Sequence, residues 1–167
     1  MTRVLVGGVG YWWQRDCSFG LVACERLSGL EWPPGVKVAQ LDYGAIYVAQ
    51  DLADASPPYE RLVLVAGVER GREPGRVYAR RWHGALPDAE EIQARIREAG
   101  AGVIDVDHLL VIAEHFRALP RDVLVLELEP VDAGPGDGLS PPVERQLPEI
   151  TALVRDAVLA PMLATPT

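Results

Sequence analysis

Asp16, Cys17 and Ser18 close a glycine- and aromatic-rich stretch, Gly7-Gly-Val-Gly-Tyr-Trp-Trp-Gln-Arg-Asp-Cys-Ser-Phe-Gly20, that starts directly after the apolar run 3–6. A thiol at a loop-to-helix junction is a candidate nucleophile, because a helix N-terminus favours the thiolate. It would need a base, and His83, His108 and His115 are the chain's three histidines. The competing reading of Cys17 is a small, half-buried residue without chemistry, and it is the one we favour. Asp16 could orient the loop backbone, or cap the helix that follows. Tyr11, Trp12 and Trp13 stand in a row. Adjacent side chains of an extended loop cannot all point inward. At least one ring is therefore expected to fill the loop, and at least one to stay exposed as an anchor for a partner, since Trp and Tyr dominate interface hot spots. Gly7-Gly-Val-Gly10 after a strand invites a dinucleotide reading. The third glycine is absent at the required spacing, however, and the three rings would crowd a pyrophosphate.

These residues need elements to hold them. Strand-like apolar runs alternate with helical patterns, which predicts an α/β layered fold. Strands are expected over 3–6, 36–41, 61–66 and 123–128, as short Val/Leu-rich runs of the buried kind. The segment 76–81 reads as an antiparallel edge strand. Phe19, Val22, Ala23, Arg26 and Leu27 recur at helical spacing, predicting a helix over 18–28 with Ser18 as N-cap. Further helices are expected over 45–55, 87–99 and 106–119. A last one should start with Ser140 as N-cap and Pro141 in its first turn. Asp105 and Asp107 flank a helix start and read as capping residues; Glu129 reads as a loop-holding residue at a strand end. The expected fold is a single three-layer α/β domain over 1–163. Its sheet is mostly parallel and twisted, of about five strands, with helices on both faces. Residues 164–167 read as a frayed tail.

The whole chain sets limits. Its 167 residues suit one domain, and hydrophobic content of 49% with 24% charged residues is ordinary for a globular core. A net charge of −8 speaks against nucleic acid and anionic membrane surfaces as partners, both of which need clustered Lys and Arg. No apolar run reaches the ~18–20 residues of a membrane span, and the N-terminus lacks the layout of a signal peptide. We therefore expect a cytoplasmic protein. Cys17 and Cys24 on one helix would stand about 10 Å apart, beyond disulfide reach.

The opening stretch resembles that of the hydrogenase maturation proteases, in which an apolar strand precedes G-x-G-N-x-L-x-x-D-E-G-x-G and an amphipathic helix. Gly8, Gly10, Asp16 and Gly20 fall on this pattern. Tyr11 replaces its Asn, Trp13 its Leu, Cys17 its acidic metal ligand and Ser18 a Gly. Asp42-Tyr-Gly44 matches two positions of the family's D-G-G. Leu62-Val-Leu-Val-Ala66 matches its next strand, with Ala66 where the family has a ligand Asp, and Pro74-Gly-Arg-Val77 matches its P-G-x-V. Counting back from Pro120 places Gly102 where the family has a ligand His; His108 could serve only if that loop were rearranged. Leu126-Glu-Leu-Glu-Pro130 and Gly138-Leu-Ser-Pro141 reproduce the family's final segment.

The resemblance implies an endopeptidase fold that trims the C-terminal extension of a NiFe-hydrogenase large-subunit precursor, sensing nickel through two carboxylates and one His. With Cys17, Ala66 and Gly102 at those places, the metal-reading site is expected to be lost. No cofactor is expected, and nickel only if the site is rebuilt through His108. The expected role is a non-catalytic assembly partner or chaperone that binds the precursor. The alternatives are an active endopeptidase served by other residues, and a Cys17-dependent hydrolase.

Overall fold

The Val/Leu-rich runs pair into one five-stranded sheet in a computed structural model, which describes residues 1–163; the expected tail at 164–167 lies outside the described residues. The strands are β1 (Val4–Val9), β2 (Val36–Gln40), β3 (Arg61–Gly67), β4 (Val77–Arg81) and β5 (Asp122–Leu128), in the order β2-β1-β3-β5-β4. β1, β2, β3 and β5 run parallel, and β4 pairs antiparallel with β5 as the expected edge.

Alternate strand residues feed two cores, as the two-residue period of a pleated strand requires. Leu62, Leu64 and Ala66 face α2 (Ala45–Asp54), α3 (Ala89–Gly100) and α4 (Val106–His115). Val63 and Val65 face α1 (Phe19–Ser28), the single turn α5 (Pro141–Glu144) and α6 (Leu147–Leu159). The helices thus sandwich the sheet in three layers.

Gly8 and Gly20 allow α1 to seat directly on the sheet. A Cβ on Gly8 would strike the carbonyl of Gly20, and one on Gly20 would strike that of Val65. Only the absence of a side chain permits such backbone approach.

Three local expectations are corrected. Ser18 is not an N-cap: residues Arg15–Ser18 form a 3-10 turn that leads into α1, and the Ser18 hydroxyl donates back to the Arg15 carbonyl at 2.6 Å. The helix expected to reach 119 ends at His115. Arg117 turns left-handed (φ 56°), and the Ala118 amide bonds the Ala113 carbonyl, a helix-terminating pattern. The last helix is two pieces, and Ser140 caps neither with its side chain.

Buried charge fixes the far end of this layer. Arg61 and Asp122, both almost fully buried, pair at 2.5 Å where β3 and β5 begin. The same guanidinium donates to the carbonyls of Ala157, Ala160 and Pro161 at 2.7, 2.8 and 2.9 Å, which secures the end of α6.

Candidate functional site

In an open parallel sheet, ligands bind outside the carboxyl ends of the strands, where the strand order reverses. Here the chain passes from β1 to β2 on one side and returns to β3 on the other, so the reversal lies between β1 and β3. A crevice of about 190 Å³ opens there. Tyr11, Gln14, Cys17, Ala66, Glu69 and Asp105 line it. Of the residues singled out in the sequence, Tyr11, Cys17, Ala66 and Asp105 meet in this crevice, and Asp16 adjoins Cys17; Gly102 and His108 do not line it.

Asp16 is completely buried, and its carboxylate organises the loop opposite. Oδ2 accepts from the amides of Val131 and Asp132 at 3.0 and 2.8 Å and from the Ser140 hydroxyl at 2.7 Å; Oδ1 accepts from the Ser140 amide at 2.8 Å. The loop-orienting reading of Asp16 therefore holds and the capping reading does not. Its backbone also packs against β3: a Cβ on Gly67 would collide with the Asp16 carbonyl. That contact seats Cys17 beside the end of β3.

The surroundings of the Cys17 thiol run against the nucleophile alternative. Burial pushes it up to about 11, with the charges of Glu69 and Asp16 adding to the effect. Desolvation and two carboxylates outweigh the field of the helix start. No histidine lines the crevice. Cys24 is pushed further, to about 12, again mainly by burial, and both cysteines are free.

His108 is occupied elsewhere. Nδ1 stands 2.7 Å from Asp105 Oδ1 and Nε2 stands 2.5 Å from Glu98 Oε2. The Asp105 carboxylate also accepts the His108 amide at 2.8 Å, capping α4 as expected. The rearrangement that would bring His108 to the crevice is not what the fold adopts. Gly102 lies on the turn between α3 and α4 and faces a neighbouring groove. Nickel calls for several nitrogen or oxygen donors converging on one point. The three family positions supply one thiol, one methyl group and one glycine outside the crevice. Among the described residues, no three His, Cys, Asp or Glu side chains are placed to hold a metal ion. The residues present do not fit the family's nickel.

The aromatic loop divides as its geometry requires. Trp13 is 72% exposed. Tyr11 and Trp12 are half-buried: the Tyr11 hydroxyl accepts from the Ile104 amide at 2.9 Å, and Trp12 Nε1 donates to Asp42 Oδ2 at 3.2 Å. Burial raises the Tyr11 phenol above its ordinary value; the Ile104 hydrogen bond works against this, and Asp105 and Cys17 add to it.

One part of the site carries no sequence signature. The buried carboxylate of Glu127 accepts from Arg70 Nη2 at 2.7 Å and pairs with Arg72 and Arg80 at 3.2 Å. Glu129 accepts from the amides of Arg70 and Arg72 and from Arg72 Nε, the loop-holding role expected of it. Burial alone would raise both carboxyls, but the arginine hydrogen bonds prevail and hold both below their ordinary value. Asp107, expected to cap, instead pairs with Arg70 at 2.9 Å and Arg80 at 3.5 Å. This network fixes the turn after β3 and presents Glu69 to the crevice.

The solved structures this chain superimposes on share the architecture. A hydrogenase 2 maturation peptidase from a Thaumarchaeota archaeon matches with a TM-score of 0.67 at 25% identity, over 96% of this chain and 100% of that one. The chain has the fold of the hydrogenase maturation proteases. A hydrogenase maturating endopeptidase from Escherichia coli gives 0.68 at 22% identity, over 94% of this chain and 92% of that one. A NiFe-hydrogenase maturation protease from Thermococcus kodakarensis gives 0.61 at 18% identity, over 93% and 98%. No family sequence profile and no curated protein matches the chain. The hydrogenase maturation protease fold is thus kept while the sequence has moved far. No helix among the described residues is long and apolar enough to cross a membrane.

Proposed function

We propose that this protein serves NiFe-hydrogenase maturation by binding the large-subunit precursor, and that it does so without nickel-guided cleavage. One observation carries the reading. A crevice opens at the strand reversal, yet the positions that match the family's metal ligands hold Cys17, Ala66 and a Gly102 that faces elsewhere. A methyl group and a glycine donate nothing to a metal. The recognition surface can survive this loss because it is made of other residues, the aromatic loop above all. The role is that of an assembly partner on a protease fold.

The test mixes the purified protein with the nickel-loaded large-subunit precursor encoded nearest to it. Intact mass follows the C-terminal extension, and size-exclusion chromatography follows the complex. A complex with the extension intact is the expected result. Loss of the extension would overturn the non-catalytic reading. It would favour an active endopeptidase, the activity after which the structural neighbours are named. Cys17→Ser and Asp16→Asn would then separate chemistry at the thiol from support of the loop.

A further inference from the structure

The opposite end of the sheet carries a cavity of its own. It measures about 540 Å³ and opens at the amino ends of β3 and β5, where Glu60 and Asp122 line it. β3 runs seven residues from this end to the crevice, so about 20 Å of strand separates the two. The last turn of α2, the approach to β3, the turn after α4 and the residues beyond α6 enclose it.

The wall of this cavity is amphipathic. Tyr59, Leu119, Pro120, Met162 and Leu163 form its apolar part, and Met162 and Leu163 are 38% and 48% exposed. Sites for small organic ligands have this size and this mixture of an apolar wall with a few charged groups.

The charged part is unbalanced. Arg117 and Arg121 both line the cavity, and neither joins an ion pair among the described residues. Asp122 is 1% exposed and already holds Arg61 and Arg81. Glu60 is the other carboxylate, and its Oε1 accepts the Arg3 amide at 3.1 Å. With the partners of Asp122 included, four guanidinium groups stand against two carboxylates. That excess of positive charge belongs to a chain whose net charge is −8. An anion would be drawn to this end and a cation repelled.

The backbone at Arg117 points the same way. Arg117 follows α4 with φ 56°, and only Arg15 shares a positive φ among the described non-glycine residues. Glycine is the usual occupant of a helix-ending left-handed position, because it takes that turn without strain. A cation is welcome near a helix C-terminus, but one in the last turn of α4 would have that advantage in an ordinary conformation. The left-handed turn instead brings the Arg117 guanidinium to the cavity that Arg121 also lines.

We propose that this cavity binds a small amphipathic oxyanion, its carboxylate or phosphate head on Arg117 and Arg121 and its apolar body on Leu119, Met162 and Leu163. Planar guanidinium groups suit either head, which they can hold by two parallel hydrogen bonds. Burial of the hydrocarbon against the apolar wall adds to the binding. The inference goes beyond the reading given above and depends neither on the crevice nor on a hydrogenase partner.

Five probes that differ in one feature at a time test it against the full chain. Octanoate and octyl phosphate share an apolar body and carry the two oxyanion heads. Octanol removes the charge, octyltrimethylammonium reverses it, and acetate removes the body. Calorimetry should show one-to-one binding of octanoate, octyl phosphate or both, and the tighter of the two identifies the head. The other three probes should bind at least about tenfold more weakly. Amide NMR shifts should centre on 117–121 and on Leu163. Arg117→Gly removes a guanidinium while relaxing the left-handed turn, so its effect is not one of unfolding. It and Arg121→Gln should each weaken binding about tenfold. Leu163→Glu, at an exposed position, should do the same. Arg97→Gln, in α3 and outside the cavity, should leave binding unchanged. Added salt should weaken the anions more than octanol. Any of four results overturns the proposal: neither amphipathic anion binds, the ammonium probe binds as well as they do, the affinity ignores both arginine variants, or the shifts centre elsewhere.

Discussion

Two adjacent residues of the opening loop have opposite characters, and each can be tested alone. Asp16 is a buried carboxylate with four donors from a loop more than a hundred positions away. Removing it strands amides inside the protein, and each unsatisfied buried donor costs roughly 1–3 kcal/mol. Asp16→Ala should lose about 3 kcal/mol of unfolding free energy in urea denaturation, and amide exchange should accelerate at Val131, Asp132 and Ser140. Unchanged exchange there would contradict the loop-orienting role. Cys17 is a protonated thiol near neutral pH, held up to about 11 chiefly by burial. At pH 8 about one thiol in a thousand would then be ionised, against about a tenth for a thiol at the ordinary value near 9. Native protein should react with a disulfide reagent at pH 8 roughly 100-fold more slowly than unfolded protein. A fast, stoichiometric reaction would revive the thiol hydrolase. The sign of the stability effect follows. The folded value is raised above the ordinary value near 9, so the contribution is complete below pH 9 and is lost as pH climbs from 9 towards 11.

Among the elements, legibility in the sequence followed burial. β3 was expected over 61–66 and spans Arg61–Gly67, because a strand covered on both faces reads as an unbroken apolar run. The last helical region misled for a related reason. Val143 in α5 and Ile150 and Val154 in α6 all face the same core, so their spacing looked continuous across the break between the two pieces. The Asp16 anchor and the Arg70–Glu127 pair were illegible. Each joins residues 57 or more positions apart, and no periodicity marks such partners. The same holds for Arg61, a charged residue inside a strand otherwise apolar, whose partner Asp122 opens β5. Breaking one side of a buried pair leaves the other charge uncompensated and costs roughly 3–5 kcal/mol. Arg81 also reaches Asp122, which places the expected loss for Arg61→Met near the lower figure, about 3 kcal/mol. Because Arg61 also binds the carbonyls of Ala157, in the last turn of α6, and Ala160, just past it, exchange should rise at the end of that helix. The double variant Arg61→Met, Asp122→Leu should recover part of the stability, since it leaves no orphaned carboxylate. A double variant no better than the single would put the cost in the lost α6 contacts rather than in the charge.

At the scale of the molecule, the fold keeps a ligand-binding place while its residues decline the ligand the family resemblance implies. The crevice sits where a doubly wound sheet puts one, between the ends of β1 and β3, and it retains about 190 Å³. On the proposed reading, donors rather than space limit metal binding. Native protein titrated with nickel at pH 7.5 should show no one-to-one binding at micromolar concentration. Cys17→Glu combined with Ala66→Asp would return two carboxylates to the crevice that already holds Glu69, and it should gain binding that the native chain lacks. The outcome that would defeat this account is micromolar native binding that disappears in His108→Ala. It would mean that the ion is strong enough to draw His108 away from Asp105 and Glu98 and to recast the turn between α3 and α4. The site would then be assembled by its metal, and the non-catalytic reading would lose its basis.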